Sequence, residues 1–433
     1  MIGTPVVFAL LFAPGFMTWA TGNERDLAIL YRNVYTGIDS FPLMALPFFM
    51  LAGEVMNRGG ITTRLVEFSQ AFMGHLRGGL AQVNILSSIL FAGLSGSAVA
   101  DTSALGSTLI PAMEKNGYTR RFAAAITAAS SVIGPIIPPS GIMIIYAYVM
   151  GESVAALFLA GIVPGILVGV GLMVMVRLMA DRYDLPKAER IVTKNQTIAP
   201  VEFWLSFLTP IIILGGILVG IMTPTEASTI AVAYALLVSV FVLRSLTWAD
   251  FFDVLQRSAL SSAAVLLLVG AAVAFKTIVA TSGAATTMAD VILGLSENPL
   301  ILLFLINILL FIVGMFLDAG PAIIILGPIL GPIFVDIGVH PVHFAIIMSV
   351  NLTVGLATPP MGLVLFVAST VSREKVETIS KAILPFLAVE VVVIFLITFF
   401  PQISMTVPYL ADFLGCPPDT GYMACISPGP PPN

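Results

Sequence analysis

An internal repeat constrains this chain more than any other feature of its sequence. One copy reads Gly134-Pro-Ile-Ile-Pro-Pro-Ser-Gly141, and the other, 221 residues later, reads Gly355-Leu-Ala-Thr-Pro-Pro-Met-Gly362. A double proline removes backbone donors and clashes with the preceding turn, so a helix must break there. Broken helices at bilayer depth are tolerated only where they are buried or line a cavity. Paired Gly and Pro interruptions of apolar segments therefore indicate the binding site of a transporter.

Composition places the chain in a membrane. Hydrophobic residues make up 58% of its 433 residues and charged residues 10%, whereas soluble domains carry about 25% charge. This predicts an all-α polytopic membrane protein. No basic cluster suggests a nucleic-acid partner, no motif for ATP hydrolysis is present, and the first apolar stretch lacks the cationic start of a signal peptide.

Apolar segments long enough to cross a bilayer recur along the chain, and about 20 residues suffice for one crossing. Two longer segments, 121–150 and 342–371, contain the double prolines and predict broken helices. Segments 79–113 and 299–334 have small and polar midpoints and predict helical hairpins that enter and leave on one side. Two short full crossings are the alternative. Single crossings are predicted at 2–20, 39–56, 155–176, 203–222, 227–243, 258–280 and 382–400.

The distribution of lysine and arginine favours the hairpins. If the loops that carry these residues are cytoplasmic, segment 79–113 must return to the cytoplasm and segment 299–334 to the exterior. The two repeats then have inverted topologies. Lys or Arg occurs in loops 57–77, 114–121, 177–194, 244–257 and 373–381, and is absent from loops 151–154, 223–226, 281–298 and 336–343.

These elements divide the chain into two repeats, a cytoplasmic linker at 178–202 and an external tail at 402–433. The first repeat, 1–177, is predicted to contain scaffold helices within 1–56, an interfacial helix at 61–74, hairpin 79–113, broken helix 121–150 and helix 155–176. The second repeat, 203–401, is predicted to contain scaffold helices within 203–280, an interfacial helix at 283–295, hairpin 299–334, broken helix 342–371 and helix 382–400.

The repeat also exposes a gap. At the 221-residue offset, segment 203–222 has no counterpart in the first half, because Gly3-Thr-Pro5 falls on Pro224-Thr-Glu226. Either the chain begins one helix short or a neighbouring chain covers that surface. We favour the first interpretation.

Oxygen atoms suited to a hard cation collect at the hairpin tips and breaks. Where a helix breaks, its last carbonyl groups lose their partners and become ligands for a cation such as sodium. Half-helix N-termini after each break carry partial positive charge that suits a substrate carboxylate. The nearby polar side chains are Ser95, Ser97, Asp101, Thr102, Ser130, Ser131 and Ser140 in the first half, and Asp318, Asn351, Thr353 and Thr358 in the second.

Asp101 and Asp318 are the strongest single candidates, because an acid inside a membrane is costly and is by default functional. The alternative is a hairpin tip that reaches water, where an aspartate only caps a helix. Glu54, Lys276 and Glu390 also lie in or near spans and are expected to snorkel or to pack against a partner chain.

Histidines and cysteines give weaker signals. His340 and His343 have the spacing of metal ligands, but they fall in a proline-containing segment that we interpret as a solvated interfacial loop. Cys416 and Cys425 lie in the external tail, where an oxidising compartment permits a small disulfide loop. The composition of the tail is otherwise typical of disorder.

The chain resembles the large membrane subunit of the tripartite ATP-independent periplasmic (TRAP) transporters. The resemblance is carried by Phe41–Gly60, Gly93–Thr102, Gly134–Gly141, Gly314–Asp318 and Gly355–Gly362, and it extends to about residue 410. It implies sodium-driven import of an organic acid across a bacterial inner membrane by an elevator mechanism. It also implies a periplasmic binding protein and a small four-helix membrane subunit as partners. The family's large subunit usually opens with one further helix.

The resemblance implies positions for Na⁺, the coupling ion, and for the substrate, which would sit between Ser97 and Thr358. With Asp101 included, the predicted sodium ligands are Ser95, Ser97, Asp101, Gly134, Pro138, Ser140, Gly314, Asp318, Gly355 and Thr358. The predicted substrate contacts are Ser97, Ser140, Asn351, Thr353, Thr358 and Pro359.

Three other functions remain as alternatives. A single-component sodium/anion symporter would work without a binding protein. An intramembrane aspartyl enzyme would need two acids facing each other on adjacent helices, whereas Asp101 and Asp318 are predicted on opposite hairpins. A channel is disfavoured because hairpins that open to opposite sides suit alternating access better.

Overall fold

A computed structural model describes residues 6–20, 22, 24–182, 185–186, 200–294, 296, 298–414 and 422–426, and the regular structure in these ranges is entirely helical. The first nine helices are α1 Val6–Ala20, α2 Glu24–Ile38, α3 Ala45–Arg58, α4 Ile61–Met73, α5 Gly79–Ser95, α6 Ala98–Lys115, α7 Arg120–Ser131, α8 Gly141–Met150 and α9 Val154–Arg182. The others are α10 Pro200–Leu218, α11 Pro224–Leu237 (extended by a π-helical turn, Val238–Val242), α12 Trp248–Thr281, α13 Ala284–Leu293, α14 Pro299–Phe316, α15 Ala319–Asp336, α16 Pro341–Gly355, α17 Leu363–Ser372, α18 Val376–Phe399, α19 Gln402–Leu410 and α20 Tyr422–Ile426.

The helix order repeats at the offset seen in the sequence. Helix α6 and helix α15 occupy equivalent positions along their whole lengths, and α7 and α16 both lead into a double-proline break. The 34-residue helix α12 corresponds to α2 and α3 together, which meet at a bend of 60°. Helix α10 has no counterpart among the described residues of the first half, in agreement with the gap in the sequence repeat.

Helix α2 is the main element that the sequence analysis missed. Its residues include Glu24, Arg25, Asp26 and Arg32, so this stretch forms no apolar run. It packs against α12 through one face, and Asn33 on that face donates to Thr277 at 3.0 Å. Tertiary packing, rather than hydrophobicity, therefore stabilises this helix.

The predicted all-α polytopic membrane protein is confirmed. Within the described part of the chain, six helices are long and apolar enough to cross a bilayer, or seven if the bent pair α2–α3 counts as one span. Both α14 and α15 belong to the six. The length of these helices therefore permits the hairpin and the two-crossing interpretations alike, and the membrane sides remain predictions.

Two groups of helices pack around the breaks. In the first group the repeats interlock, because α6 contacts α17, α8 contacts α15, α7 contacts α18 and α9 contacts α16. Stacked rings of Phe334 and Phe344, 4.8 Å apart, hold α15 on α16. The second group comprises α1, α2, α3, α10, α11 and α12, which pack on one another. The hairpins and broken helices therefore belong to the first group, together with helices α9 and α18, and α3 and α12 of the second group contact α5 and α15 of the first.

The end of the chain corrects two expectations. His343 is not in a solvated loop: it lies buried in α16, where its Nδ1 is 2.8 Å from Ser404 Oγ and its Nε2 is 3.2 Å from the Thr398 carbonyl oxygen. His340 begins the same helix and accepts from Val342 N. A proline at the first helical position starts a helix instead of prolonging a loop.

Part of the external tail is also ordered. Tyr422 of α20 packs against Tyr409 and shares a hydrogen bond of 2.6 Å with Thr406, both on α19. Cys425 is buried and disulfide-bonded. Residues 415–421, with Cys416, lie outside the described part of the chain. The interpretation of the tail as disordered is therefore wrong for residues 422–426.

Candidate functional site

The tip of the first hairpin lies on the break of the first repeat. Gly96 connects α5 to α6 with φ of +60°, a conformation that favours glycine. A Cβ at this position would lie 2.5 Å from the Pro139 carbonyl oxygen. Ser97 begins α6, and its side chain accepts from Ala100 N. The start of α6 and the start of α8 are therefore brought together.

The second hairpin contacts its own break in the same way, here through two backbone segments packed directly against each other. A Cβ on Gly355 would lie 2.5 Å from Gly314 Cα, and Gly362 N–H donates to the Met315 carbonyl oxygen at 3.1 Å. The tip between α14 and α15 thus rests directly on the break between α16 and α17. Both breaks also contain a cis peptide bond, at Pro138-Pro139 and at Pro359-Pro360.

Half-helix N-termini from both repeats lie side by side. A Cβ at Gly320, near the start of α15, would lie 3.7 Å from Ile145 of α8, and Gly331 further along α15 contacts Met150 at the end of α8. The two helices therefore run in the same direction, and their first residues are offset by about one turn. Aligned N-termini concentrate partial positive charge and unpaired N–H groups, which suit an anion.

Asp101 has an incomplete set of partners. It is fully buried on the first turn of α6, where one carboxylate oxygen accepts from the Ser95 hydroxyl and the other, Oδ2, has no hydrogen-bond partner in the described part of the chain. That second oxygen lies against Gly134 at the break, where a methyl group would overlap it. Nearby on the same helix, Thr102 Oγ1 is 2.6 Å from Ser131 Oγ of α7. These oxygens line the contact between hairpin tip and break.

Asp318 is placed differently. It occupies the position equivalent to Ser97, begins α15 and accepts from Ala319 N at 2.8 Å. Its side chain is exposed, whereas that of Asp101 is closed off. The structure therefore shows a helix cap at Asp318, and Asp101 is the acid with an unused buried oxygen.

The other predicted site hydroxyls bond to nearby carbonyls and keep acceptor capacity. Ser140 begins α8 and donates to the Pro135 carbonyl oxygen at 2.5 Å. Thr358 donates to Val354 and Thr353 to Ser349, each four residues earlier. All three residues are buried, and Ser140 and Thr358 lie within the breaks themselves. Pro138 and Pro359 form the breaks on either side.

A polar clamp joins each hairpin to its broken helix and was not foreseen. Asn84 of α5 donates to Thr127 at 2.7 Å and accepts from Ser130 on α7. In the second repeat Asn351 of α16 donates to Asn307 of α14 at 2.6 Å. Asn351 Oδ1, by contrast, is buried without a hydrogen-bond partner among the residues that the structure describes. An asparagine within each apolar hairpin arm, in similar places of the two repeats, was the available signal.

Two charged residues in spans behave differently from the prediction. Lys276 of α12 does not snorkel but donates to the Val149 carbonyl oxygen at 2.5 Å, near the end of α8. Glu390 of α18 does not face a partner chain: it is fully buried, and within the described ranges neither of its carboxylate oxygens has a hydrogen-bond partner. Glu54 is half-buried. Among the described residues, no three His, Cys, Asp or Glu side chains gather as metal ligands.

Comparison with known proteins agrees with the resemblance to the TRAP large membrane subunit over most of the chain. The family model described as "Tripartite ATP-independent periplasmic transporter, DctM component" matches residues 1–403. The chain is 40% identical to the sialic acid TRAP transporter large permease protein SiaM of Vibrio cholerae, covering 95% of this chain and 96% of SiaM. It is 36% identical to the C4-dicarboxylate TRAP transporter large permease protein DctM of Pseudomonas aeruginosa, covering 92% and 91% of the two chains.

The fold is shared with a solved transporter. The crystal structure of the Alcanivorax borkumensis YdaH transporter matches with a TM-score of 0.65, covering 88% of this chain and 89% of that one at 17% identity. The fold is that of a polytopic membrane protein, and the family model and the relatives named as permeases identify a transporter rather than an enzyme. More specifically, the chain belongs to the DctM family, the large permease proteins of TRAP transporters.

Proposed function

We propose that this chain imports an organic acid by coupling its movement to sodium, after a periplasmic binding protein has delivered it. The observation that carries the proposal is the contact of each hairpin tip with a double-proline break. It brings half-helix N-termini together beside a buried acid with an unused oxygen. The helix N-termini can bind an anion, and the carboxylate and carbonyl oxygens can bind a hard cation, in the same region of the protein.

The cation is assigned to oxygens at the two tip-to-break contacts. In the first repeat Asp101 supplies negative charge, Ser95 and Ser97 supply hydroxyls, and the break from Gly134 to Ser140 supplies carbonyl groups. In the second repeat Gly314, Asp318 and the break from Gly355 to Thr358 are equivalent. Sodium fits these oxygen donors because a hard cation needs neither thiolate nor imidazole ligands.

The substrate is assigned to the space between the N-termini. A carboxylate there accepts backbone N–H groups and hydroxyls such as those of Ser97, Ser140 and Thr358. Asn351, Thr353 and Pro359 are proposed to complete the substrate site. Relatives named for sialic acid and for C4-dicarboxylates support a carboxylate substrate of this class.

The two helix groups support an elevator mechanism. The hairpins and broken helices form one interlocked body that can move as a unit, while α1, α2, α3 and α10 to α12 provide a fixed scaffold. Helix α1 exposes Phe8, Phe12 and Trp19, which suit the lipid bilayer or a small four-helix membrane subunit. We place the complex in a bacterial inner membrane with the C-terminus in the periplasm.

Uptake into proteoliposomes tests this proposal. The full chain, reconstituted with its small subunit, should accumulate labelled organic acid only when an inward sodium gradient and the binding protein are both supplied. A potassium gradient of equal size is the control. Accumulation without the binding protein would instead support a single-component sodium/anion symporter, and accumulation without sodium would refute the coupling.

Asp318→Ala is expected to weaken the sodium dependence of uptake while membrane insertion stays intact. The substitution removes a carboxylate and a helix cap, which costs about 1 kcal/mol, so Asp318→Asn serves as the comparison that retains capping. A sodium titration of the initial uptake rate measures the effect. If both variants titrate as the parent protein does, Asp318 is a cap and lies outside the sodium site.

A further inference from the structure

A cavity of about 590 Å³ shares no lining residue with the proposed sodium and substrate sites. It lies where the α6–α7 loop and the first turn of α7 meet the end of α9, Leu185 and Pro186, and the start of α18. We call it the α7–α18 pocket. All three of these regions adjoin loops of the Lys- and Arg-bearing set and are therefore predicted to face the cytoplasm.

Two cationic side chains line this pocket without an acidic partner. Arg121 of α7 and Lys381 of α18 form no ion pair with any residue that the structure describes. The neighbouring Arg120, by contrast, is paired with Glu114 at 2.5 Å. Glu377 is the acid of the pocket lining, and it also has no ion-pair partner in the described ranges. The pocket therefore keeps a positive net charge, and both cations are available to an anion.

Two helices also begin at the pocket. Thr119 precedes the first residue of α7 and Lys375 precedes that of α18, and neither side chain caps its helix. The first N–H groups of both helices therefore lack a side-chain acceptor as well as an intrahelical one. Because a helix N-terminus carries a partial positive charge, the two helix starts add to the attraction that Arg121 and Lys381 exert on an anion.

Hydrogen bonds and ring packing hold the walls of the pocket in place. The Tyr118 hydroxyl and Gly78 N–H both donate to the Pro186 carbonyl oxygen, each at 3.3 Å. The ring of Phe122 stacks on that of Tyr118 with centroids 6.0 Å apart, and it meets the ring of Phe386 edge-on at 5.9 Å. Burial raises the pKa of Tyr118 to about 12, so this phenol stays neutral and leaves the positive charge of the pocket unchanged.

The pocket adjoins a surface that suits lipid. Helix α9 ends and α18 begins there, and these two candidate membrane spans pack against each other. Helical spacing places Leu384 and Val392 on the face of α18 that carries Lys381, and their side chains are 57% and 58% exposed. On α9, Val174 and Leu178 are 54% and 66% exposed. Exposed apolar side chains therefore continue from the pocket along both helices, where acyl chains can pack.

We propose that the α7–α18 pocket binds the phosphate group of an anionic phospholipid from the cytoplasmic leaflet. Phosphate fits because Arg121 presents a planar fork that suits its oxygens, and Lys381 adds a second positive charge from another helix. Glu377 can accept a hydrogen bond from a headgroup hydroxyl. A lipid fits better than a soluble phosphate because the exposed apolar residues of α9 and α18 contact its acyl chains. Basic pockets between membrane-spanning helices on the cytoplasmic side recognise lipid headgroups in this way.

Thermal unfolding of the full chain in detergent tests the proposal without sodium, substrate or partner proteins. Added phosphatidylglycerol should raise the melting temperature, because a ligand that binds the folded state stabilises it. Phosphatidylcholine, which has no net charge, should raise it much less, and so should glycerol 3-phosphate, which has the charge without acyl chains. An equal rise with phosphatidylcholine would overturn the assignment to an anionic headgroup. An equal rise with glycerol 3-phosphate would show a site for soluble anions and overturn the assignment to a lipid.

A double variant, Arg121→Gln with Lys381→Gln, tests the position of the site. It should bind phosphatidylglycerol about 10-fold more weakly, or weaker still, as measured by the lipid concentration that produces half of the rise in melting temperature. Without lipid it should melt as the parent protein does, because both side chains are exposed. The matched control is Arg244→Gln with Arg257→Gln, which removes two positive charges from another loop of the same predicted side and should keep the parent affinity. Equal weakening in both double variants would show general attraction to anionic lipid and refute the pocket.

Discussion

Replacement of Asp101 by asparagine is expected to raise the sodium concentration needed for half-maximal uptake by roughly 10- to 100-fold. The carboxylate is buried, and Oδ2 at the break has no hydrogen-bond partner among the described residues, so a cation is its natural counter-charge. Interactions with charged groups contribute about 1.5–3 kcal/mol, and each 1.4 kcal/mol is tenfold in affinity. Asparagine keeps the shape and the contact with Ser95 but removes the charge.

Two measurements make this result decisive. The melting temperature of Asp101→Asn should equal or exceed that of the parent protein, because the variant loses an uncompensated buried charge. Asp336→Asn changes an exposed aspartate at the end of α15 and should leave the sodium titration unaltered. If Asp101→Asn also titrates normally, the carboxyl is a neutral acid and the sodium ligands lie elsewhere.

The sequence predicted the architecture well where the same pattern occurs in both repeats. Helix breaks at Pro138-Pro139 and Pro359-Pro360 follow from backbone chemistry, since proline removes a donor wherever it stands. Hairpin tips were recognised by small residues at the middle of apolar segments. Helix α2 was missed because its stability comes from packing on α12, which hydrophobicity alone does not report.

The site was predicted less completely, because the sequence gives residue types but not their partners. In the sequence, Asp101 and Asp318 are both acids at hairpin tips. In the structure Asp101 is buried and one of its carboxylate oxygens has no hydrogen-bond partner among the described residues, whereas Asp318 is exposed and caps helix α15. The asparagine clamps were missed for the same reason, since Asn84 and Asn307 are single polar residues inside apolar runs. Glu390 was expected to snorkel or to pack against a partner chain, because the sequence alone does not show which face of α18 is buried.

Substitution of Gly355 by alanine is expected to be the most damaging single change in the second repeat. A Cβ there would lie 2.5 Å from Gly314 Cα and 2.6 Å from Gly314 C, and 3.0 Å from Met315 N. All three are backbone atoms, so no side chain can rotate away and the hairpin tip must move off the break. Overpacking of this kind costs about 1–3 kcal/mol.

The expected results for Gly355→Ala are a lower melting temperature in detergent and the loss of sodium-driven uptake, because the displaced tip takes Asp318 and the start of α15 with it. Gly215→Ala, in α10, is the matched control: a Cβ there meets nothing within 4 Å, and alanine favours a helix by roughly 0.5–1 kcal/mol over glycine. This control should melt at an equal or higher temperature and transport normally. Normal uptake by Gly355→Ala would show that the tip-to-break contact is dispensable, and the proposed binding region would then have to be placed elsewhere in the fold.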